Sequence, residues 1–223
     1  MDWISLLRTS TGGVADLLAE GDLEAPVPAC PGWTLADLAD HLGGVHQWAT
    51  HAVVVGDAKG APTSAPRERS DLVRWYRESA RNLVDVLAGT PPEATAWTFG
   101  PEQVAGFWHR RQVHETLVHL YDGLASQQRG REWVVAPDLA WDGVDEVATV
   151  FYPRQVRMRR TSPLDGTLRL VASDLDADPV EIGTQEPVTE LAGSSAYLLL
   201  ALWKRVVVDD PAAAGLLATA ITP

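Results

Sequence analysis

His109-Arg110-Arg111-Gln112-Val113-His114-Glu115-Thr116-Leu117-Val118-His119-Leu120-Tyr121-Asp122 reads as one helix that carries ligands, and the fold is read outward from it. At about 100° per residue, Glu115 and His119 lie about 40° apart on one face, beside an apolar face of Leu117, Leu120 and Leu124. A Glu and a His one turn apart can grip a single divalent ion together. Asp122 is about 20° from Glu115 on the same face, where it can orient a ligand. His114 points about 140° away from His119. Three residues separate Glu115 from His119, which excludes the His-Glu-x-x-His motif of zinc proteases.

The six histidines fall in two clusters, 41/46/51 and 109/114/119, so a third ligand is sought in the first. That cluster lies in Trp33-Thr34-Leu35-Ala36-Asp37-Leu38-Ala39-Asp40-His41-Leu42-Gly43-Gly44-Val45-His46-Gln47-Trp48. On a helix His41 aligns with Leu38, Val45, Trp48 and Ala52, a buried stripe, and His46 and His51 are rotated away. The expected metal ligands are therefore His41, Glu115 and His119, with coordination positions left open. His46, His51, His109 and His114 are expected on the surface or in packing roles. The residues alone leave a plainer alternative: a hydrogen-bonded core histidine, and a solvated Arg111–Glu115 ion pair.

Around these helices the chain has 46% hydrophobic and 22% charged residues, the balance of an ordinary globular protein. No apolar run is long enough to span a bilayer, and the first residues lack a basic signal-peptide region, so a cytoplasmic protein is expected. The net charge of −12 argues against nucleic acid and anionic membranes as partners. It does not exclude a small anionic substrate. The one cysteine, Cys30, forbids an intramolecular disulfide and suits a reducing compartment. Its expected role is packing rather than nucleophilic attack.

Helical periodicity predicts helices over 1–20, 34–55, about 67–88 and 101–126. Thr34 and Asp37 form a capping-box signal, and Pro101 suits a first helical turn. Four such helices predict an up-and-down bundle over residues 1–130, and a bundle interior is a usual place for a metal. Residues 131–223 read as a small α/β domain. It has a helix over 138–158, a hairpin of 167–172 with 180–183, an apolar helix over 193–206 and a short helix over 212–220. The fold class is α+β.

Cys30-Pro31-Gly32-Trp33-Thr34 with Asp37-Leu38-Ala39-Asp40-His41-Leu42 resembles the entry to the second helix of the mycothiol-dependent maleylpyruvate isomerase family. Trp108 through His119 resembles its fourth helix. The hairpin with Ala192-Gly193-Ser194-Ser195-Ala196-Tyr197-Leu198-Leu199-Leu200-Ala201-Leu202-Trp203-Lys204-Arg205 resembles its C-terminal domain. The resemblance implies a DinB-like four-helix bundle followed by a sterol-carrier-like α/β domain. It also implies a divalent metal, usually zinc, on His41, Glu115 and His119, a catalytic role for Arg205, and mycothiol as cosubstrate.

Three protein ligands leave room for an exogenous thiol, whose thiolate Zn²⁺ stabilises at neutral pH. Addition to a small electrophile, rotation and elimination would make the chain an isomerase; retention of the adduct would make it an S-transferase. An iron site of the facial-triad type and a non-catalytic small-molecule carrier are the other two readings. The electrophile and the oligomeric state are not written in the sequence.

Overall fold

The computed structural model describes residues 1–223, which divide into two compact units, Met1–Trp133 and Val134–Pro223. The first unit consists of α1 (Trp3–Glu20), α2 (Leu35–Val54), α3 (Arg69–Gly89) and α4 (Ala105–Ser126), followed by a 3-10 turn at Gly130–Glu132. Their starts are written locally. Asp2 accepts from the Ser5 amide, Glu68 from Ser70, and Thr34 and Asp37 close a capping box that satisfies two orphan donors.

Helix directions follow from the pairs that touch. Trp3 meets His114, Gly13 faces Leu120 and Gly21 faces Gln127, so α1 and α4 are parallel. Gly43 meets Trp75 and Gln47 donates to Ser79, so α2 and α3 are parallel too. Arg69 donates to the Leu18 carbonyl and Arg77 pairs with Asp16, which makes α1 and α3 antiparallel. The order is thus up-down-down-up, with α1 and α2 across a diagonal, rather than the simple up-and-down order the sequence suggested. Gly43 is required at the α2–α3 crossing, since a Cβ there would stand 2.3 Å from the Trp75 ring. Leu18, Leu35, Leu42, Leu72, Tyr76 and Leu83 are fully buried between the helices.

Two parallel helices in succession need a crossover, and residues 55–68 provide it by running back along α2. Trp48 Nε1 donates to the Ala58 carbonyl, Thr63 N to Gln47 Oε1, Ala65 N to Asp40 Oδ1, and Arg67 to Asp37. These contacts descend α2 turn by turn as the crossover advances. α4 begins at Ala105, not at Pro101. Val104 pairs with Thr95 in an isolated bridge, and Gln103 ties its side chain to Thr98, so this backbone is committed before a helix can start. Glu115 and His119 lie in the middle of α4 and keep their common face.

The second unit holds α5 (Pro137–Glu146), α6 (Tyr152–Arg157) with one π turn between them (Val147–Phe151), β1 (Thr167–Ala172), β2 (Val180–Ile182), β3 (Val188–Gly193), α7 (Ser195–Leu202) and α8 (Pro211–Leu217). The predicted 167–183 hairpin is present, with Leu168 opposite Ile182. β3 adds a parallel strand on the other side of β1, giving the order β2-β1-β3. Only Leu191 of β3 is buried, which left no period-two pattern to read. α7 ends at Leu202. Lys204 takes φ +60° and the Lys204 and Arg205 amides donate to the Ala201 and Leu200 carbonyls, a Schellman end built without glycine. Arg205 therefore follows the helix rather than ending it. No helix is long and apolar enough to cross a membrane.

Candidate metal centre

Three side chains from α2 and α4 meet inside the first unit. His41 Nε2 lies 3.3 Å from Glu115 Oε1, and His119 Nε2 lies 3.4 Å from that same oxygen. One ligand atom of each residue falls within 4.8 Å of those of the other two. These contacts are long for charge-assisted hydrogen bonds, which run about 2.7–2.9 Å. A tetrahedral ion with bonds of about 2.0–2.1 Å sets its ligands about 3.3–3.4 Å apart. Both separations match that edge. Two imidazole nitrogens and a carboxylate oxygen are also a donor set that zinc accepts. The residues present fit a divalent metal.

Each donor is held from behind. Asp122 is fully buried, and its Oδ2 accepts from His119 Nδ1 at 2.9 Å, which turns Nε2 toward Glu115. Arg111 Nη2 donates to Glu115 Oε2 at 3.0 Å, which leaves Oε1 to the histidines. With 3% of its side chain exposed, Arg111 forms a buried ion pair and not the solvated one that i,i+4 spacing suggested. Trp33 packs on His41, with ring centroids 4.9 Å apart. Cys30 Sγ lies 4.0 Å from Asp122 Oδ2, so the cysteine belongs to the surroundings of this cluster. The turn that carries it is pinned by the bridge between Pro26 and Thr34.

Burial works against charge on Glu115, yet hydrogen bonds from His119 and His41 and the charges of His119 and Arg111 hold its carboxyl well below the usual range. Burial would likewise depress His119, but hydrogen bonds to Asp122 and Glu115 and their charges raise it to about 9. The metal-free cluster therefore holds a proton on His119 where a cation would sit.

The other histidines sit apart. His51 bonds Asp57 at 2.8 Å, and His109 and His114 are buried in packing. His46 corrects the reading of α2, because it is fully buried whereas the His41 side chain is 35% exposed. The stripe Leu35–Leu42–His46–Ala49 faces the core, and His41 lies on its flank. His46 Nδ1 pairs with Gln112 Oε1 at 3.0 Å and Nε2 with the Tyr76 hydroxyl at 3.4 Å. Neither Gln112 nor Tyr76 had a signal as a polar partner. In the second unit, Arg205 Nη1 donates to the Trp203 carbonyl at 2.6 Å, with its guanidinium 5.9 Å from the Trp203 ring centroid.

The profile of the family described as mycothiol maleylpyruvate isomerase N-terminal domain matches residues 5–122, more than half of the chain. The chain belongs to this family. A crystal structure of the mycothiol-dependent maleylpyruvate isomerase has the same fold, at 15% identity and a TM-score of 0.63, over 89% of this chain and 86% of that one. A histidine-to-alanine mutant of that enzyme, at 14% identity, covers the same shares with the same TM-score. No curated protein matches the chain at a significant level.

Proposed function

We propose that the chain is an isomerase of the maleylpyruvate type that uses mycothiol and a divalent metal, zinc by its donor set, held by His41, Glu115 and His119. The observation that carries this is the convergence of two Nε2 atoms on one carboxylate oxygen at tetrahedral-edge spacing, in a chain of this family. Bound there, zinc would make a thiolate available at neutral pH.

The chain's own residues do the rest. Asp122 aims His119, Arg111 commits one Glu115 oxygen, and Trp33 packs against the His41 ring. Cys30, the sole thiol, lies beside Asp122 on the Nδ1 side of His119, away from the converging Nε2 atoms, which supports an exogenous thiol. Reversible addition of that thiol to an activated double bond, rotation about the new single bond and loss of the thiol isomerise the substrate and return the cosubstrate. A transferase would keep the adduct.

Arg205 is the proposed catalytic arginine on the resemblance alone. Arg205→Lys and Arg205→Ala should then lower turnover with metal content intact. The central test strips the protein with chelator, reloads it with zinc and follows a cis-olefinic α-keto acid with and without thiol. One zinc per chain, thiol-dependent turnover and unconsumed thiol support the isomerase. Accumulated adduct would replace it by the transferase, and loss of both zinc binding and turnover would remove the proposal.

A further inference from the structure

His119 has two ring nitrogens, and only Nε2 belongs to the cluster with His41 and Glu115. Its Nδ1 faces the fully buried Asp122, and beside Asp122 lies the one thiol of the chain. Asp122 Oδ2 is 2.9 Å from Nδ1 and 4.0 Å from Cys30 Sγ. One ligand atom each of Cys30, His119 and Asp122 falls within 4.8 Å of those of the other two.

Two separate pieces of backbone set this second trio. His119 and Asp122 stand three apart on α4 and share a face. Cys30 sits in a turn fixed on both sides. Val27 N donates to the Trp33 carbonyl at 2.9 Å, Cys30 N to the Val27 carbonyl at 3.1 Å, and Trp33 N to the Cys30 carbonyl at 3.0 Å. A donor held this firmly loses little freedom when it binds an ion.

The two trios differ in charge and in softness. The first offers two imidazoles and one carboxylate. The second offers one imidazole, one carboxylate and a sulfur that binds metal as thiolate, two negative charges for one dication. Thiolate selects soft ions. Size points the same way. Zinc bonds of about 2.3 Å to sulfur and 2.0 Å to oxygen set those atoms about 3.5 Å apart in a tetrahedron. The 4.0 Å between Cys30 Sγ and Asp122 Oδ2 is wider.

We propose that Cys30, Asp122 and His119 Nδ1 form a second metal position, for a soft dication larger than zinc, with cadmium as its representative. The ion replaces the hydrogen bond between Nδ1 and Asp122, and that pair opens to a metal edge of at least about 3.3 Å. The Cys30 thiol proton and the Nδ1 proton leave to solvent. A neutral imidazole has one lone pair for a metal, so ligation at Nδ1 withdraws Nε2 from zinc. The position is therefore inhibitory, because an ion that fills it expels zinc from the first. That competition rests on the zinc reading of the first position; cadmium binding does not.

With one thiol in the chain, an ultraviolet thiolate-to-cadmium band reports Cys30 alone. The first equivalent of cadmium added to the metal-free full chain should produce that band, and Cys30→Ser should lack it. Asp122→Asn keeps the thiol and the shape, and should raise the half-saturating cadmium by about tenfold or more. Nitrogen NMR of the wild-type protein should find cadmium on His119 Nδ1, a reading that needs no variant. In the zinc-loaded chain the band should grow as zinc appears in the ultrafiltrate. Cys30→Ser keeps all three proposed zinc ligands and should hold its zinc at the same cadmium concentration.

Absence of the band, cadmium on Nε2, or equal zinc release from Cys30→Ser would overturn the proposal. An unchanged half-saturation in Asp122→Asn would do so too, since Cys30 would then bind cadmium by itself. The band together with retained zinc would overturn the inhibitory role. A chain that binds no zinc but gives the Asp122-dependent band would keep this position and remove the first. Zinc binding without the band would do the reverse.

Discussion

Two histidines of α2 face two polar side chains of α4, and their environments are opposite. His41 meets Glu115, and five residues on, the fully buried His46 meets Gln112. At the first pair a carboxylate gathers His119 and Arg111 around it and stabilises positive charge. At the second an amide offers a neutral acceptor, and burial drives His46 down to about 4. One helix pair thus builds the proposed cation site and a neutral core bond within two turns. The difference is the charge on one α4 side chain, Glu against Gln, together with depth.

The largest effect should come from erasing that charge. Glu115→Gln removes one of the three proposed ligands, and zinc affinity is expected to fall by more than about 100-fold, beyond the usual loss on removing a group that only orients a ligand. It also takes the carboxylate from the buried Arg111, which is expected to cost the metal-free protein about 3 kcal/mol. Zinc competition against a chromophoric chelator, with thermal melts, measures both. Retained affinity would show that Glu115 is no ligand.

The His46 side is tested by pH. Its folded pKa of about 4 lies below the ordinary 6.5, so between these values the unfolded chain binds the extra proton. Its contribution to stability is full above about 6.5 and is lost as pH falls through about 4, a change of about 3 kcal/mol. Denaturant titrations from pH 7 to 4 should show a slope that His46→Gln reduces. An unchanged slope would mean that His46 does not stay neutral in the fold.

His119 has the opposite sign. Its folded value of about 9 is raised, so its contribution in the metal-free protein is present below about 6.5 and lost as pH rises through about 9. Zinc must displace that proton, and titration calorimetry at pH 7 in buffers of different ionisation enthalpy should report release of about one proton per zinc. Asp122→Asn keeps the shape and weakens the acceptor on Nδ1, and should lower zinc affinity about 10–100-fold. Equal affinity would reduce Asp122 to a packing residue.

Much of this was legible because helical phase is a property of one segment. Glu115 and His119 needed only the period of α4, and the start of α2 needed only Thr34 and Asp37. What was not legible depended on neighbours. α2 is rich in buried Ala and Gly, with Ala36, Ala39, Gly43, Ala49 and Ala52 all covered, and it packs on α3, α4 and the crossover together. Its hydrophobic phase is therefore blunt, which hid the depth of His46 beside the half-exposed His41. The up-down-down-up order depends on how residues 55–68 return along α2, and polar turn residues carry no sign of direction. Arg111 looked solvated at i,i+4 because spacing gives a partner and not a depth. β3 showed too little alternation to stand out from the loop before it.

The smallest predicted effect separates the two histidine sites most cleanly. The Tyr76 hydroxyl is fully buried and meets His46 Nε2 at 3.4 Å, a long bond. Burial raises Tyr76 above its ordinary value, so the phenol stays protonated and is the donor, while His46 Nδ1 donates to Gln112. Tyr76→Phe removes the hydroxyl but keeps the ring. It leaves Nε2 as an unpaired buried acceptor, which should cost about 0.5–1.5 kcal/mol. Tyr76 touches neither His41, Glu115 nor His119 in any bond, so zinc affinity should be unchanged. A stability loss in that range with wild-type zinc binding would show that the His46 bond supports the bundle and the His41 site independently. A matching loss of zinc affinity would show instead that the two pairs act as one unit along α2 and α4.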